Sequence, residues 1–252
     1  MPIIIQKACL RFKDQLVFAD LDLEFKAGQW TCLLGGSGVG KTSLLRLIAG
    51  LSDRRAEAYT QVSASIHSDE FGGLAGKVMY MPQQDGLLPW LTVLDNVLHC
   101  KRLEGDDPTL FIDKAISLLR RVGLGSHIDA RPASLSGGMR QRVALARTLL
   151  ADKPIVLLDE PFSALDAITR YHLQNLAVEC LEGRTVIMVT HDPLEALRLG
   201  QEIKILAGSP AKIIEVLSLK GKSPRDIEDP SILSSYVHII DLLKAHHPRS
   251  AQ

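Results

Sequence analysis

No excess of charge of either sign marks this chain: 29 Lys and Arg balance 29 Asp and Glu, for a formal net charge of zero. Bulk nucleic-acid binding needs a basic footprint to neutralise phosphates, so that class is disfavoured, although a small local anion site is not. Cysteine is scarce. The four present, Cys9, Cys32, Cys100 and Cys180, make no C-x-x-C pair and no metal-ligand spacing. They read as reduced, buried or half-buried thiols of a cytosolic protein, not as a disulfide framework. Long apolar runs are missing too. No stretch approaches 18 consecutive apolar residues, and the N-terminal MPIIIQKACLRFKDQ turns polar at Gln6. Neither a membrane span nor a secretory leader is expected, and any membrane role should be peripheral, through a partner. Internal repeats and low-complexity tracts are also absent.

What is present is a globular composition, 46% hydrophobic and 23% charged over 252 residues. Such a chain buries a sizeable core without disulfide or metal staples. Residues 3–12 and 16–25 read as strands around the polar turn Lys13-Asp14-Gln15. In the second, Leu21, Leu23 and Phe25 alternate with Asp22 and Glu24. Trp30 to Leu34 is a compact apolar strand, GGSGVGKT follows, and SLLRLIAG has helical period up to Gly50. The alternation in YTQVSASIH predicts a peripheral antiparallel strand before the loop SDEFGGLAG, and Val78 to Met81 another strand. Helices are expected over 92–104 and 108–122, with Thr92 or Asp107 as caps, and from Ser136 to about Leu150. The all-apolar Ile155–Leu158 belongs in the middle of a parallel sheet, and Thr185–Thr190 reads as another buried strand after a helix over 167–182. A short helix after Pro193, strands at 202–206 and 212–217, one amphipathic helix in SILSSYVHIIDLL and a frayed HHPRSAQ complete the pattern. This is α/β grammar with crossovers, antiparallel signals at its start and after 200, and a helical insertion at about 85–150.

The strongest chemical signal is Gly35-Gly36-Ser37-Gly38-Val39-Gly40-Lys41-Thr42, a G-x-x-x-x-G-K-T loop between a strand and a helix. Glycines let backbone N–H groups curl around a β-phosphate and the helix N-terminus adds its dipole; Lys41 can reach β- and γ-phosphates and Thr42 can ligate Mg²⁺. PIVLLDEP ends an apolar strand in two carboxylates. Asp159 is placed to hold Mg²⁺, and Glu160 to polarise an attacking water. His191 follows TVIMVT at another strand end, where open α/β sheets bind ligands. The other seven histidines, at 67, 99, 127, 172, 238, 246 and 247, show no metal spacing. In LSGGMRQR, Ser136 beside Gly137 and Gly138 makes a second anion-binding nest, about 95 residues from the first. Two readings of it stand: a nest facing another molecule's nucleotide across a dimer, or a capped helix and nothing more.

On these motifs the chain resembles the ATP-binding subunit of an ABC importer, over about residues 3–215. GGSGVGKT is similar to the Walker A motif, IVLLDEP to Walker B, LSGGMRQR to the family signature and SALD (163–166) to the D-loop. The resemblance implies a P-loop NTPase fold with an N-terminal antiparallel β subdomain and an inserted helical subdomain: an ATP-binding domain over 1–218 and a tail over 219–252. It implies that residues 35–42 together with Ser43 cradle ATP and that Phe12 stacks on adenine. Gln83 would contact Mg²⁺ with Thr42 and Asp159, and Glu160, His191, Lys41 and Gln83 would carry hydrolysis. It further implies a head-to-tail homodimer with ATP between one Walker A loop and the other copy's Ser136-Gly137-Gly138, with Asp166 coupling the two sites. Transmembrane permease subunits would dock through the groove near Gln83 and the exposed apolar Leu87-Leu88-Pro89-Trp90. A solute-binding protein would take part indirectly, through the assembled complex. The chain would then sit peripherally on the cytoplasmic face of the bacterial inner membrane.

Within that family GLLPWLTVLDNV resembles importers of nitrate, sulfonate, taurine and thiamine-precursor pyrimidines, and SALDAITRYHLQNLA with HDPLEALRLGQEI resembles most the pyrimidine branch. The expected solute is therefore a thiamine-precursor pyrimidine, with nitrate, sulfonate or taurine as the alternative. Gly36 stands where the family often has proline, and Phe12 where tyrosine or tryptophan is commoner. A soluble DNA-repair or translation ATPase of the same fold is disfavoured by neutral charge and by the lack of a coiled coil or tandem cassette. A non-catalytic nucleotide-binding regulator should show damage at Glu160 or His191, and both are present.

Overall fold

The computed structural model describes residues 2–12, 15–51, 59–68 and 73–246. In chain order they form β1 (Ile3–Phe12), β2 (Gln15–Phe25), β3 (Trp30–Gly35), α1 (Lys41–Ile48), β4 (Tyr59–His67), β5 (Val78–Met81), α2 (Val93–Glu104), α3 (Ile112–Arg121) and α4 (Gly137–Ala151). Then follow β6 (Ile155–Asp159), α5 (Ala167–Cys180), β7 (Thr185–Val189), α6 (Pro193–Leu199), β8 (Glu202–Ala207), β9 (Lys212–Ser218) and α7 (Pro230–His246). The predicted turn at Lys13-Asp14, part of the loop after β4 and the end of the tail from His247 lie outside the described residues.

Two sheets follow from two hydropathy patterns. In β2 the alternation buries Leu21, Leu23 and Phe25 and exposes Asp22 and Glu24, so one face can meet water. It lies in an antiparallel sheet of order β2-β1-β4. In β3, β6 and β7 every residue is buried, as strands covered on both faces require. These sit inside a six-stranded sheet of order β5-β6-β7-β3-β8-β9, parallel except for the β8–β9 edge. One apolar layer joins this sheet to α1 and the antiparallel sheet through Phe18, Phe25, Leu44 and Leu157. A second packs its opposite side against α2–α6 and the tail through Leu98, Leu119, Val156 and Leu197. The helices α2, α3 and α4 lie between β5 and β6 in the chain, the insertion expected from the sequence.

Local differences from the sequence reading have local causes. The helix after the glycine loop starts at Lys41, not Ser43, because Gly40 turns left-handed at φ 107° and serves as the N-cap. Gln15 opens β2 instead of closing a turn. The helix expected over 108–122 is divided: Pro108–Phe111 forms a 3-10 turn, capped by Asp107 on the Thr109 N–H, and Phe111 leaves helical geometry before α3 begins. Thr92 caps α2 and Ser136 caps α4, as their spacing predicts.

After β9 the tail returns to α6. The buried Arg225 donates to the carbonyls of Leu197 at 3.1 Å and Gly200 at 2.6 Å and to those of Leu219, Lys220 and Gly221, while Ser223 Oγ donates to the Leu199 carbonyl at 2.8 Å. The last carbonyls of α6 thereby gain a charged donor, a C-terminal cap supplied from a distant segment.

Candidate active site

The parallel strands β5, β6, β7 and β3 are neighbours, so the loops leaving their C-terminal ends converge on one edge of the sheet. Those loops carry Gln83, Glu160, His191 and the glycine loop. Ser37, Gly38, Gly40, Lys41, Thr42, Ser43, Gln83, Glu160 and His191 together line a cavity of about 410 Å³. Larger hollows of about 920 and 820 Å³ lie beside the antiparallel sheet and include none of these residues.

The glycine loop is fixed by close packing at both ends. A Cβ on Gly35 would lie 2.4 Å from the Leu206 carbonyl oxygen. At Gly40 the left-handed backbone disfavours any side chain, and a Cβ would come within 2.6 Å of Val17 and 3.0 Å of Phe18. Lys41 Nζ donates to the carbonyls of Gly35 at 2.8 Å and Gly36 at 2.9 Å. Burial lowers its pKa, and the carboxylates of Glu160 and Asp159 work against that shift. Among the described residues, the hydrogen bonds of this buried ammonium go to carbonyls of its own loop, which an anion could replace.

Asp159, at the end of β6, is buried. Its Oδ1 accepts from Thr42 Oγ1 at 3.1 Å and its Oδ2 from Tyr80 OH at 3.2 Å. Burial raises its pKa, and the two hydroxyl hydrogen bonds oppose the rise. Glu160 follows with a left-handed backbone, φ 49°, which is uncommon for a residue with a side chain. Its carboxylate is held from two sides: Gln83 Nε2 donates to Oε2 at 3.2 Å, and His191 Nδ1 lies 3.2 Å from Oε1. Its backbone is pinned as well, since Gln141 Nε2 and Ser163 Oγ both donate to the Glu160 carbonyl, at 3.0 and 3.1 Å. The His191 side chain is 64% exposed while that of Glu160 is 18% exposed, so the histidine stands at the cavity rim.

Thr42, Asp159 and the Gln83 amide offer the hard oxygen donors that Mg²⁺ takes alongside phosphates. Among the described residues no group of three or more His, Cys, Asp or Glu could hold a metal by itself. The donor set fits a cation that brings much of its coordination with a nucleotide.

Other expected site residues lie elsewhere. Phe12, at the end of β1, is 39% exposed and does not line the cavity. Ser136, Gly137 and Gly138 form the exposed or half-buried N-terminus of α4, with Ser136 Oγ accepting from the Met139 N–H at 3.2 Å. A Cβ on Gly138 would meet the Ala164 carbonyl at 3.0 Å, so glycine lets this turn sit against the segment leading to Asp166. Asp166 caps α5, and its hydrogen bonds with Thr169 lower its pKa. Of the expected apolar docking residues only Pro89 and Trp90 are exposed, Trp90 at 67%; Leu87 and Leu88 are half-buried because α4 pulls the loop inward. Arg140 pairs with Asp85 at 2.9 Å and Arg147 donates to the carbonyls of Asp85 and Gly86.

Sequence reasoning missed three contributors. Tyr80 and Gln141 touch Asp159 and the Glu160 backbone. Glu195, on α6, is hydrogen-bonded to Thr190, beside His191, and to Gln174 at 3.0 Å. Tyr80 and Glu195 are lone polar groups between apolar neighbours and Gln141 is hidden between Arg140 and Arg142, so nothing local in the chain ties any of them to the site.

Comparison with known proteins agrees with this geometry. A family model described as ABC transporter matches residues 18–163. An uncharacterized ABC transporter ATP-binding protein of Haemophilus influenzae is 41% identical over 231 residues, covering 90% of this chain and 92% of that protein. The aliphatic sulfonates import ATP-binding protein SsuB 2 of Burkholderia cenocepacia is 37% identical over 244 residues, covering 95% of this chain and 86% of that one. Among solved structures, the dimeric post-hydrolysis state of the ATP-binding cassette MJ0796 bound to ADP and Pi superposes with a TM-score of 0.74 at 27% identity, covering 87% of this chain and all of that one.

Proposed function

This chain belongs to the ABC transporter family and is one of its ATP-hydrolysing cassettes, and on that premise we propose that it powers import of an aliphatic sulfonate through separate transmembrane subunits. The observation that carries the catalytic part is the meeting of Lys41, Thr42, Gln83, Glu160 and His191 around one cavity, from four loops far apart in sequence.

In this reading the glycine loop from Gly35 to Ser43 cradles the phosphates. Lys41 exchanges the Gly35 and Gly36 carbonyls for β- and γ-phosphate oxygens. Thr42, Asp159 and Gln83 would hold Mg²⁺, which neutralises charge on the phosphate oxygens. Glu160, held between Gln83 and His191, orients a water and accepts its proton as the water's oxygen bonds to the γ-phosphorus and the bond to ADP breaks. His191 at the rim reads the γ-phosphate. Phe12 faces adenine.

Two copies pair head to tail. The exposed nest at Ser136-Gly137-Gly138, outside the cavity of its own chain, closes on the partner's nucleotide, with Asp166 beside it. The similarity to a cassette solved as a dimer supports this arrangement. Permease subunits dock near Gln83, Pro89 and Trp90, a solute-binding protein joins only through the assembled complex, and the chain sits peripherally on the cytoplasmic side of the membrane. No described helix is long and apolar enough to cross a bilayer. We assign residues 1–218 to the ATP-binding domain, with its helical part at about 85–150, and 219–252 to the tail.

For the solute, the sulfonate-import relatives favour the alternative of the sequence reading over the thiamine-precursor pyrimidine. Copurification from native membranes, followed by ATPase assays with added binding proteins, tests both parts. A permease partner and stimulation by a sulfonate-loaded binding protein are expected. Stimulation by a pyrimidine-loaded one instead would reverse the solute assignment, and the lack of any membrane partner would overturn the transport reading.

A further inference from the structure

Both oxygens of Asp159 are engaged, and one of the two groups engaging them stands outside every motif. Thr42 holds Oδ1, and Tyr80 OH donates to Oδ2. The sheet register explains the meeting. Tyr80 pairs with Leu157 across β5 and β6, and Asp159 is two residues further along β6, so Tyr80 and Asp159 share the face that packs against α1. The last turn of α1 supplies the third member, Arg46, which is hydrogen-bonded to the Tyr80 side chain. A guanidinium only donates, so the Tyr80 oxygen accepts from Arg46 and its single proton is directed to Asp159.

We propose that Tyr80, braced by Arg46, is the positioning residue for the divalent cation at Asp159: it ties Oδ2 in place and so fixes the carboxylate with Oδ1 toward Thr42. The proposal rests on the reading of Asp159 as a Mg²⁺-holding residue. Groups that orient a metal's ligands govern metal affinity more than they govern the rest of a site, typically by about 10–100-fold.

The test is a Mg²⁺ titration of a fluorescent ATP analogue bound to the full chain, with nucleotide affinity in EDTA measured in parallel. Tyr80→Phe deletes one oxygen and keeps the ring. It should raise the half-saturating Mg²⁺ concentration about tenfold and leave the EDTA affinity within about twofold. Arg46→Met, on the exposed side of α1, should raise it in the same direction by roughly threefold, less because the phenol remains. An unchanged Mg²⁺ midpoint in Tyr80→Phe overturns the proposal, and so does an equal loss of affinity in EDTA, because a merely structural role would move both. Should Tyr80→Phe fail to fold, Arg46→Met decides, and no rise there overturns it. Nucleotide binding by the parent chain that ignores Mg²⁺ altogether would instead remove the underlying reading of Asp159.

Discussion

Glu160→Gln separates the chemistry of the site from its architecture. The amide has the shape of the carboxylate, so Gln83 Nε2 keeps an acceptor at its 3.2 Å position and His191 Nδ1 can accept from the new NH₂ group. The bonds from Gln141 and Ser163 go to the residue 160 backbone carbonyl and survive, and the left-handed φ of 49° strains glutamine as it does glutamate. Folding stability should therefore change by no more than about 0.5 kcal/mol. What disappears is the proton acceptor. A positioned general base contributes about 10²–10⁴ in rate, about 3–5 kcal/mol of barrier. Removing a negative charge near Lys41 also eases the approach of phosphates, so ATP should bind as tightly as to the parent or more tightly. Phosphate release should fall at least a hundredfold, ATP affinity measured with a fluorescent analogue should hold, and size-exclusion chromatography with ATP should show an accumulating dimer. Turnover within threefold of the parent would refute the assignment of Glu160 as base. Retained turnover with lost binding would refute the picture of the cavity itself.

Gly40→Ala forces a Cβ to 2.6 Å from Val17 and strains a φ of 107°, so it should cost about 1–3 kcal/mol and weaken ATP binding; an unchanged urea midpoint would contradict the packing argument. Ser136→Arg should abolish ATP-driven dimerisation and turnover while a single chain still binds ATP, and loss of binding by the monomer would sink the partner-nest reading. Arg225→Leu strips the carbonyls of Leu197, Gly200 and Lys220 of a charged donor in a buried setting. Chemical denaturation should show a loss of about 2–4 kcal/mol, and a change below about 0.5 kcal/mol would mean the tail does not cap α6.

Several features were legible without coordinates because local physics writes them into adjacent residues. A glycine loop between strand and helix, a strand ending in Asp159-Glu160, and a serine three residues before an N–H that needs a partner are each short-range requirements, and the structure has the expected element at each place. The same holds for strand type, since the alternating β2 and the mainly apolar β3, β6 and β7 lie in the sheets their patterns imply. Where local signals compete, adjacent residues do not settle the structure. Helical period over 108–122 concealed the break at Phe111, and the apolar run Leu87–Trp90 concealed the grip of Arg140 and Arg147 that half-buries its first two residues.

The sequence by itself determined which chemical groups are present and on what kind of element each one sits. Only the tertiary structure decided that Tyr80 meets Asp159, that Gln141 grips the Glu160 backbone and that Arg225 closes the end of α6. Those pairings depend on parallel-sheet register and on crossovers between residues up to 79 positions apart. A one-residue slip of β5 against β6 would turn Tyr80 to the other face, and no property of residues 78–81 taken alone specifies that register.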